Sequence, residues 1–205
     1  MADKEEVRQS PNRLDVAGRF ATDAADYLAR FRCTYYSDDF DFQSIKSRRF
    51  KAFGDLRTAI EATLKGFIAL RQPYSSGGKN LVHFVEKYGH KLERLSSEAI
   101  RLWRCEVSEE IKSKISECEK LPVGLRYSLD AFDYLEAHEE IYYQTIGSSE
   151  WMKQVEELAE EARKRLQEML SRRSKIVTVS AANVKELLQE GFNKFRSSKE
   201  LPPKQ

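Results

Sequence analysis

The chain has 205 residues, of which 40% are hydrophobic and 33% are charged, with only nine glycines and five prolines. Such a hydrophobic fraction supports a packed core, and so few turn residues disfavour an all-β fold. The formal net charge of +2 is too small to create a global field that attracts nucleic acid or an acidic membrane. Any nucleic-acid binding therefore needs a local patch, and we expect no sequence readout of DNA.

The cysteines and the first residues indicate a reducing compartment. Cys33, Cys105 and Cys118 form neither a CxxC pair nor an even-numbered disulfide framework, so we predict free thiols. The chain begins Met-Ala-Asp-Lys-Glu-Glu, without the apolar segment of a secretory signal. No apolar run approaches the roughly 18 residues of a membrane span. We therefore expect a cytoplasmic protein that makes no use of a membrane.

Apolar residues at helical spacing predict two long helices in the first third of the chain. The first, over about residues 12–36, follows the start signal Ser10-Pro11-Asn12, because proline suits the first turn of a helix. The second covers about residues 43–71 and ends where Pro73 approaches. Both carry an apolar stripe that must be buried against other helices.

The middle of the chain predicts shorter helices. Between about 80 and 104, Gly89 divides a short helix from a longer one. Ser108, followed by two glutamates, is a good N-cap for a helix that stops before Pro122. Another helix is predicted from there to about Tyr143.

The C-terminal third is predicted to contain a long helix, a non-helical connection and a final amphipathic helix. A long helix covers about 149–173, and the β-branched residues of 174–179 predict a short edge strand or an extended connector. Ser180 then caps an amphipathic helix, which completes the segment 174–196. Residues 1–9 and 197–205 are predicted to be disordered.

Short connections make neighbouring helices antiparallel. We therefore predict an all-α fold, an antiparallel up-and-down helical bundle of four to five main helices over residues 10–173, plus the C-terminal helix.

Two familiar motifs are not favoured. The loop that ends in Gly77-Gly78-Lys79-Asn80 lacks the first glycine and the Ser or Thr of a phosphate-binding loop, and it follows a helix. His83, His90 and His138 are scattered, so we predict no metal site and no cofactor.

Two basic clusters are alternatives for RNA binding. They comprise Lys46, Arg48, Arg49 and Lys51 in the first, and Arg163, Lys164, Arg165, Arg172, Arg173 and Lys175 in the second. The second follows four glutamates, and the pairs Glu160–Lys164 and Glu161–Arg165 have the favoured i,i+4 order. We therefore favour a face that pairs with itself over an RNA-binding patch.

The most informative set of side chains comes from three helix starts or flanks. Glu61 and Lys65 are one turn apart, His90 opens a helix, and Arg126 and Tyr127 open another. An arginine fork, a lysine and a tunable histidine that meet in a cleft would bind an anion or a nucleotide. Taken alone, these residues slightly favour an ordinary charged seam over such a site.

At these positions the sequence resembles the HEPN family of helical-bundle domains. The likeness covers about residues 13–172. It rests on the runs 59–67 (AIEATLKGF) and 88–95 (YGHKLERL), with further signals at Leu125-Arg126-Tyr127 and Tyr142-Tyr143. In that family an acidic residue and a lysine follow an alanine-rich turn, and a histidine motif opens the next helix. The resemblance implies a four- to five-helix bundle, often dimeric.

Functions within that family divide into two groups. Some members are metal-independent ribonucleases of toxin or defence type that use an Arg-x4–6-His motif, and others are non-catalytic partners of a nucleotidyltransferase that bind its substrate. This chain has no arginine five to seven residues before His83, His90 or His138. We therefore expect a binding module for a nucleotide, RNA or a protein partner, possibly a nucleotidyltransferase. Its ligand-binding residues are then Glu61, Lys65, His90, Arg126 and Tyr127, with none assigned as catalytic.

Two alternatives remain open. The first is a ribonuclease with a rearranged site, in which His90 or His138 is the general base and Arg126 stabilises charge. The second is a structural protein that assembles through its C-terminal helix, where Phe192 and Phe195 lie.

Overall fold

The computed structural model describes residues 12–37, 44–72, 79–122 and 128–197, with side chains in those ranges except at 79, 128–130, 132 and from 174 onward. These residues form seven α-helices and no β-strand, which confirms the predicted all-α fold. The helices are α1 (Arg13–Tyr36), α2 (Ile45–Arg71), α3 (Lys79–Glu86), α4 (Leu92–Trp103), α5 (Glu109–Lys120), α6 (Ser128–Gln144) and α7 (Ser149–Ser197).

Side-chain caps define where several helices begin. The side chain of Asn12 accepts the backbone N–H groups of Leu14 and Asp15, and the Asp15 carboxylate accepts the N–H of Asn12 at 2.9 Å. This reciprocal pair is a capping box. The hydroxyls of Ser44 and Ser108 cap α2 and α5 by accepting the backbone N–H groups of Ser47 and Ile111. Helix α1 begins at Arg13, close to the predicted start at about residue 12, and the predicted N-cap at Ser108 is confirmed.

Helix α2 is the central helix of the first part of the chain. Residues 59–66 are all buried, and such a run covers more than two turns, so neighbours surround the helix on every side. It packs antiparallel to α1: Arg13, at the start of α1, donates to the carbonyl of Gln72 at the end of α2. It also contacts α3, α4 and α6. A central helix of this kind is buried all round, where the sequence predicted a single apolar stripe.

A glycine permits the close approach of α7 to α2. A Cβ atom at Gly66 would lie 2.5 Å from Cδ2 of Leu166, which is fully buried. No side chain larger than hydrogen fits at Gly66 unless Leu166 moves.

The predicted connector at 174–179 is wrong, because α7 is helical without interruption from Ser149 to Ser197. β-Branched residues disfavour a helix by only about 0.5 kcal/mol each, and no proline lies among residues 149–197. Once a helix exists, adding a residue costs far less than starting a new one. The alternating pattern at 174–179 is therefore overridden by the helix that precedes it.

The chain divides into two compact units, Met1–Gln167 and Glu168–Gln205. The boundary lies inside α7, before the predicted one at 173. Disorder is predicted for 1–9 and 197–205; Ser197 belongs to α7, and residues 1–9 and 198–205 lie outside the described residues. Among the helices that the structure describes, none is long and apolar enough to cross a membrane.

Candidate functional site

Three of the five predicted site residues meet at one carboxylate. Oε1 of Glu61 lies 2.6 Å from Nζ of Lys65, and Nδ1 of His90 lies 3.0 Å from Oε1 and 2.9 Å from Oε2 of Glu61. Glu61 and Lys65 are buried on α2, whereas the His90 side chain is 67% exposed. The arrangement therefore links a buried ion pair to an accessible imidazole.

The spacing along α2 explains half of this geometry. Side chains four residues apart lie on the same face of a helix, so Glu61 and Lys65 pair directly. Arg57 is one further turn toward the N-terminus and is also buried. Three buried charged side chains therefore form a row along α2.

A left-handed turn between α3 and α4 brings His90 to that row. Gly89 has φ +61°, a backbone conformation that glycine adopts without steric cost, and its N–H donates to the carbonyl of Glu86 at 2.8 Å. The chain then reverses, and α4 begins at Leu92. The predicted division at Gly89 is thus confirmed, and it places the imidazole against α2.

Arg57 and Glu119, which the sequence analysis did not identify, hold the backbone at His90. Both terminal nitrogens of Arg57 donate to the His90 carbonyl at 3.1 Å, and one of them lies 3.3 Å from Oε2 of Glu119. The same Oε2 accepts the N–H of Leu92 at 2.6 Å. Arg57 could have been found from its spacing to Glu61, but Glu119 comes from α5 and leaves no local signal.

The Glu61 cluster lines a cavity between α1 and α2. The cavity has a volume of about 260 Å³, slightly below the range of roughly 300–1,000 Å³ for drug-sized ligand pockets. Its apolar wall includes Phe20, Tyr27 and Phe53. Its polar wall comprises Asp23, Arg57, Thr58, Glu61, Lys65 and His90.

The remaining predicted site residues cannot be placed, since Arg126 and Tyr127 lie outside the described residues. Tyr142, part of the aromatic signal, is buried against Phe50 with ring centroids 5.4 Å apart, and it is not among the residues that line the cavity. His138 stacks on Tyr134 with ring centroids 4.8 Å apart. Of the three histidines, only His90 lines this cavity.

The second basic cluster pairs with the glutamates that precede it. Arg163 lies 2.7 Å and Lys164 lies 3.6 Å from Oε1 of Glu160, and Arg165 lies 2.5 Å from Glu161. Hydrogen bonds from Arg163 hold the pKa of Glu160 below its ordinary value. The predicted i,i+4 pairs Glu160–Lys164 and Glu161–Arg165 are confirmed.

The first basic cluster also has partners within the chain. Arg49 donates to the carbonyl of Gly147 and, at 2.9 Å, to Oγ of Ser149. Lys46 lies 3.8 Å from Glu139. Over the described residues, no group of three His, Cys, Asp or Glu side chains is arranged to hold a metal ion.

Comparison with protein-family models, curated proteins and solved structures finds no match to this chain. The resemblance to the HEPN family therefore rests on sequence motifs alone, at 59–67, 88–95, 125–127 and 142–143.

Proposed function

We propose that the chain is a HEPN-like binding module that holds a phosphate-bearing ligand, a nucleotide or an RNA end, in the α1–α2 cavity. The observation that carries this proposal is the shared carboxylate of Glu61, which fixes Lys65 and His90 side by side at the cavity wall. In an ordinary charged seam the ion pairs would fill the space between the helices, whereas Glu61, Lys65 and His90 line a cavity.

The unused hydrogen-bonding groups of the cluster suit an anion. A lysine ammonium has three N–H donors, and one of those of Lys65 donates to Glu61. The Glu61 carboxylate accepts Nδ1–H of His90, and a His90 ring that also carries a proton on Nε2 can donate this second N–H to a phosphate oxygen. Within the described part of the chain, Nε2 of His90 has no hydrogen-bond partner. Lys65 and His90 would meet phosphate oxygens, and Phe20 or Tyr27 would contact a base.

Binding without cleavage fits the missing Arg-x4–6-His motif. We infer further that such a module works as a homodimer or beside a nucleotidyltransferase, as the resemblance implies. Light scattering on the purified chain gives its mass, and a dimer is the expected result.

Isothermal titration with adenosine 5′-monophosphate and a short RNA tests the proposed ligand. We expect binding by the wild-type chain and a loss of about tenfold or more for the His90→Ala, Arg126→Ala double variant. His83→Ala is the matched control, because His83 is exposed on α3 and does not line the cavity. Equal affinity of the wild type and the double variant would remove this face as the ligand site.

One observation favours a second candidate, a metal-independent ribonuclease. A histidine oriented by a buried carboxylate, with Nε2 facing no protein partner among the described residues, has the form of a general base. Incubation of end-labelled RNA with the protein in chelator separates the candidates. Cleavage that disappears in His90→Ala supports the ribonuclease, and intact RNA supports the binding module.

A further inference from the structure

Glu119 does not line the cavity, yet its carboxylate belongs to the network that holds His90. Its Oε2 accepts the N–H of Leu92 at 2.6 Å and lies 3.3 Å from Arg57. Arg57 in turn donates twice to the carbonyl of His90. The segment from His90 to Leu92 is therefore held at both of its ends.

Glu119 supplies the cap that α4 lacks. The N-cap residue of α4 is Lys91, whose side chain makes no capping hydrogen bond. The first N–H groups of a helix have no partner within the helix, and a carboxylate there also interacts favourably with the helix dipole. A residue of α5 thus fixes the start of α4, two positions after the imidazole of the site.

Burial makes this network rigid. Arg57 is 4% exposed, and Glu119 is its only carboxylate partner among the described residues. If Glu119 moved away, a buried guanidinium would lose its counter-ion, and such a state is strongly disfavoured. The network therefore favours one arrangement of the backbone around His90.

We infer that Glu119 is a positioning residue for the candidate site. Through Arg57 and the N–H of Leu92 it sets the backbone at His90, which keeps Nδ1 against Glu61 and leaves Nε2 for the ligand. The orientation of the imidazole thereby depends on the position of α5. The effect on ligand affinity rests on the proposed function, whereas the effect on the imidazole does not.

Long-range ¹H–¹⁵N spectra of the His90 ring in the ligand-free, full-length protein test the positioning directly. At a pH where the ring is neutral, the wild type should show mainly the tautomer protonated at Nδ1. Glu119→Ala removes both the charge and the cap, so both tautomers should become populated. Glu119→Gln keeps an oxygen for the N–H of Leu92 and should give an intermediate spectrum.

Glu117 provides a matched control on the same helix. Its Oε2 accepts Nε1–H of Trp151 at 2.6 Å and pairs with Lys114 at 3.0 Å, with no hydrogen bond to Arg57 or His90. Glu117→Ala therefore loses comparable interactions but should leave the His90 spectrum unchanged. An unchanged spectrum in folded Glu119→Ala, or an equal change in Glu117→Ala, overturns the inference.

Two further measurements keep the test decisive. If Glu119→Ala does not fold, Glu119→Gln and Arg57→Lys replace it, and wild-type spectra for both contradict the positioning role. Titration with adenosine 5′-monophosphate should show a loss of about tenfold for Glu119→Ala, by analogy with residues that orient metal-binding histidines. If the wild type does not bind the nucleotide but Glu119→Ala changes the His90 spectrum, the proposed function is refuted and the positioning role is supported.

Discussion

Nδ1 of His90 lies 2.9 Å from Oε2 of Glu61, and the same carboxylate pairs with Lys65 at 2.6 Å. One buried anion therefore serves two donors, one of them on a side chain that is mostly exposed. The Glu61 side chain cannot change rotamer without breaking its buried ion pair with Lys65. The imidazole of His90 is therefore held by a carboxylate in a fixed position of the core.

Glu61→Gln should destabilise the protein by about 3–5 kcal/mol, because Lys65 then keeps a buried charge without a counter-ion. Urea unfolding followed by circular dichroism measures the loss. Replacing both residues, as Glu61→Leu with Lys65→Met, should cost less than the single change. Glu157→Gln is the control: its pair with Lys153 is exposed, so it should cost at most about 0.5 kcal/mol. Equal effects of Glu61→Gln and Glu157→Gln would contradict the buried pair.

Two positions in the left-handed backbone region should respond in opposite directions. Gly89→Ala should destabilise by about 1 kcal/mol: nothing lies within 4 Å of an added Cβ, so the cost comes from φ +61°. Arg104 ends α4 with φ 49° and ψ 42°, and Arg104→Gly should stabilise by up to about 1 kcal/mol. Chemical denaturation of both variants is the measurement, and changes of the same sign would count against the described turns.

Local signals made most helix ends predictable from the sequence. The hydrogen bonds of Asn12, Ser108 and Gly89 reach backbone groups only a few residues away in the chain. Such short-range contacts can be predicted from the local sequence. The run 174–179 misled because its β-branched residues have a weak preference, which the continuing helix overrides.

The candidate site also contains residues that the sequence predicted and one that it did not. Glu61 and Lys65 were predictable because they are neighbours on one helix, and His90 because it follows a turn signal. Glu119 was not, since only the tertiary packing of α5 brings it to Arg57 and Leu92. Its contribution depends on contacts between residues far apart in the chain.

The three thiols should differ sharply in reactivity. Cys33 and Cys105 are exposed, whereas Cys118 is fully buried, and desolvation raises the pKa of its thiol from 9.0 to about 12. A thiol reagent near neutral pH should therefore modify two cysteines in the native protein and the third only in denaturant. Rapid native modification of Cys118 would be incompatible with this packing.

The same shift predicts a loss of stability at high pH. In the unfolded chain the Cys118 thiol ionises at its ordinary pKa, whereas in the folded protein it stays neutral to a higher pH. Its contribution to stability is therefore complete below about pH 9 and declines as the pH rises toward 12. Urea unfolding of the wild type and Cys118→Ala at increasing pH should show a difference that narrows above pH 9.

If the C-terminal helix carries oligomerisation, a chain that ends at Lys175 should have a lower mass by light scattering. It keeps all of the first compact unit, which ends at Gln167, so it should retain its helical circular dichroism spectrum. An unchanged oligomeric mass would remove residues 176–205 as the assembly element.

Histidine NMR during titration with adenosine 5′-monophosphate tests directly whether a ligand binds at Glu61, Lys65 and His90. The chain has three histidines, so single substitutions assign every ring signal. We expect the ring signals of His90 to shift along a saturable curve with the ligand, while those of His83 and His138 stay unchanged. A His90 signal that does not move at millimolar nucleotide, or equal shifts of all three rings, would contradict a ligand site at Glu61, Lys65 and His90.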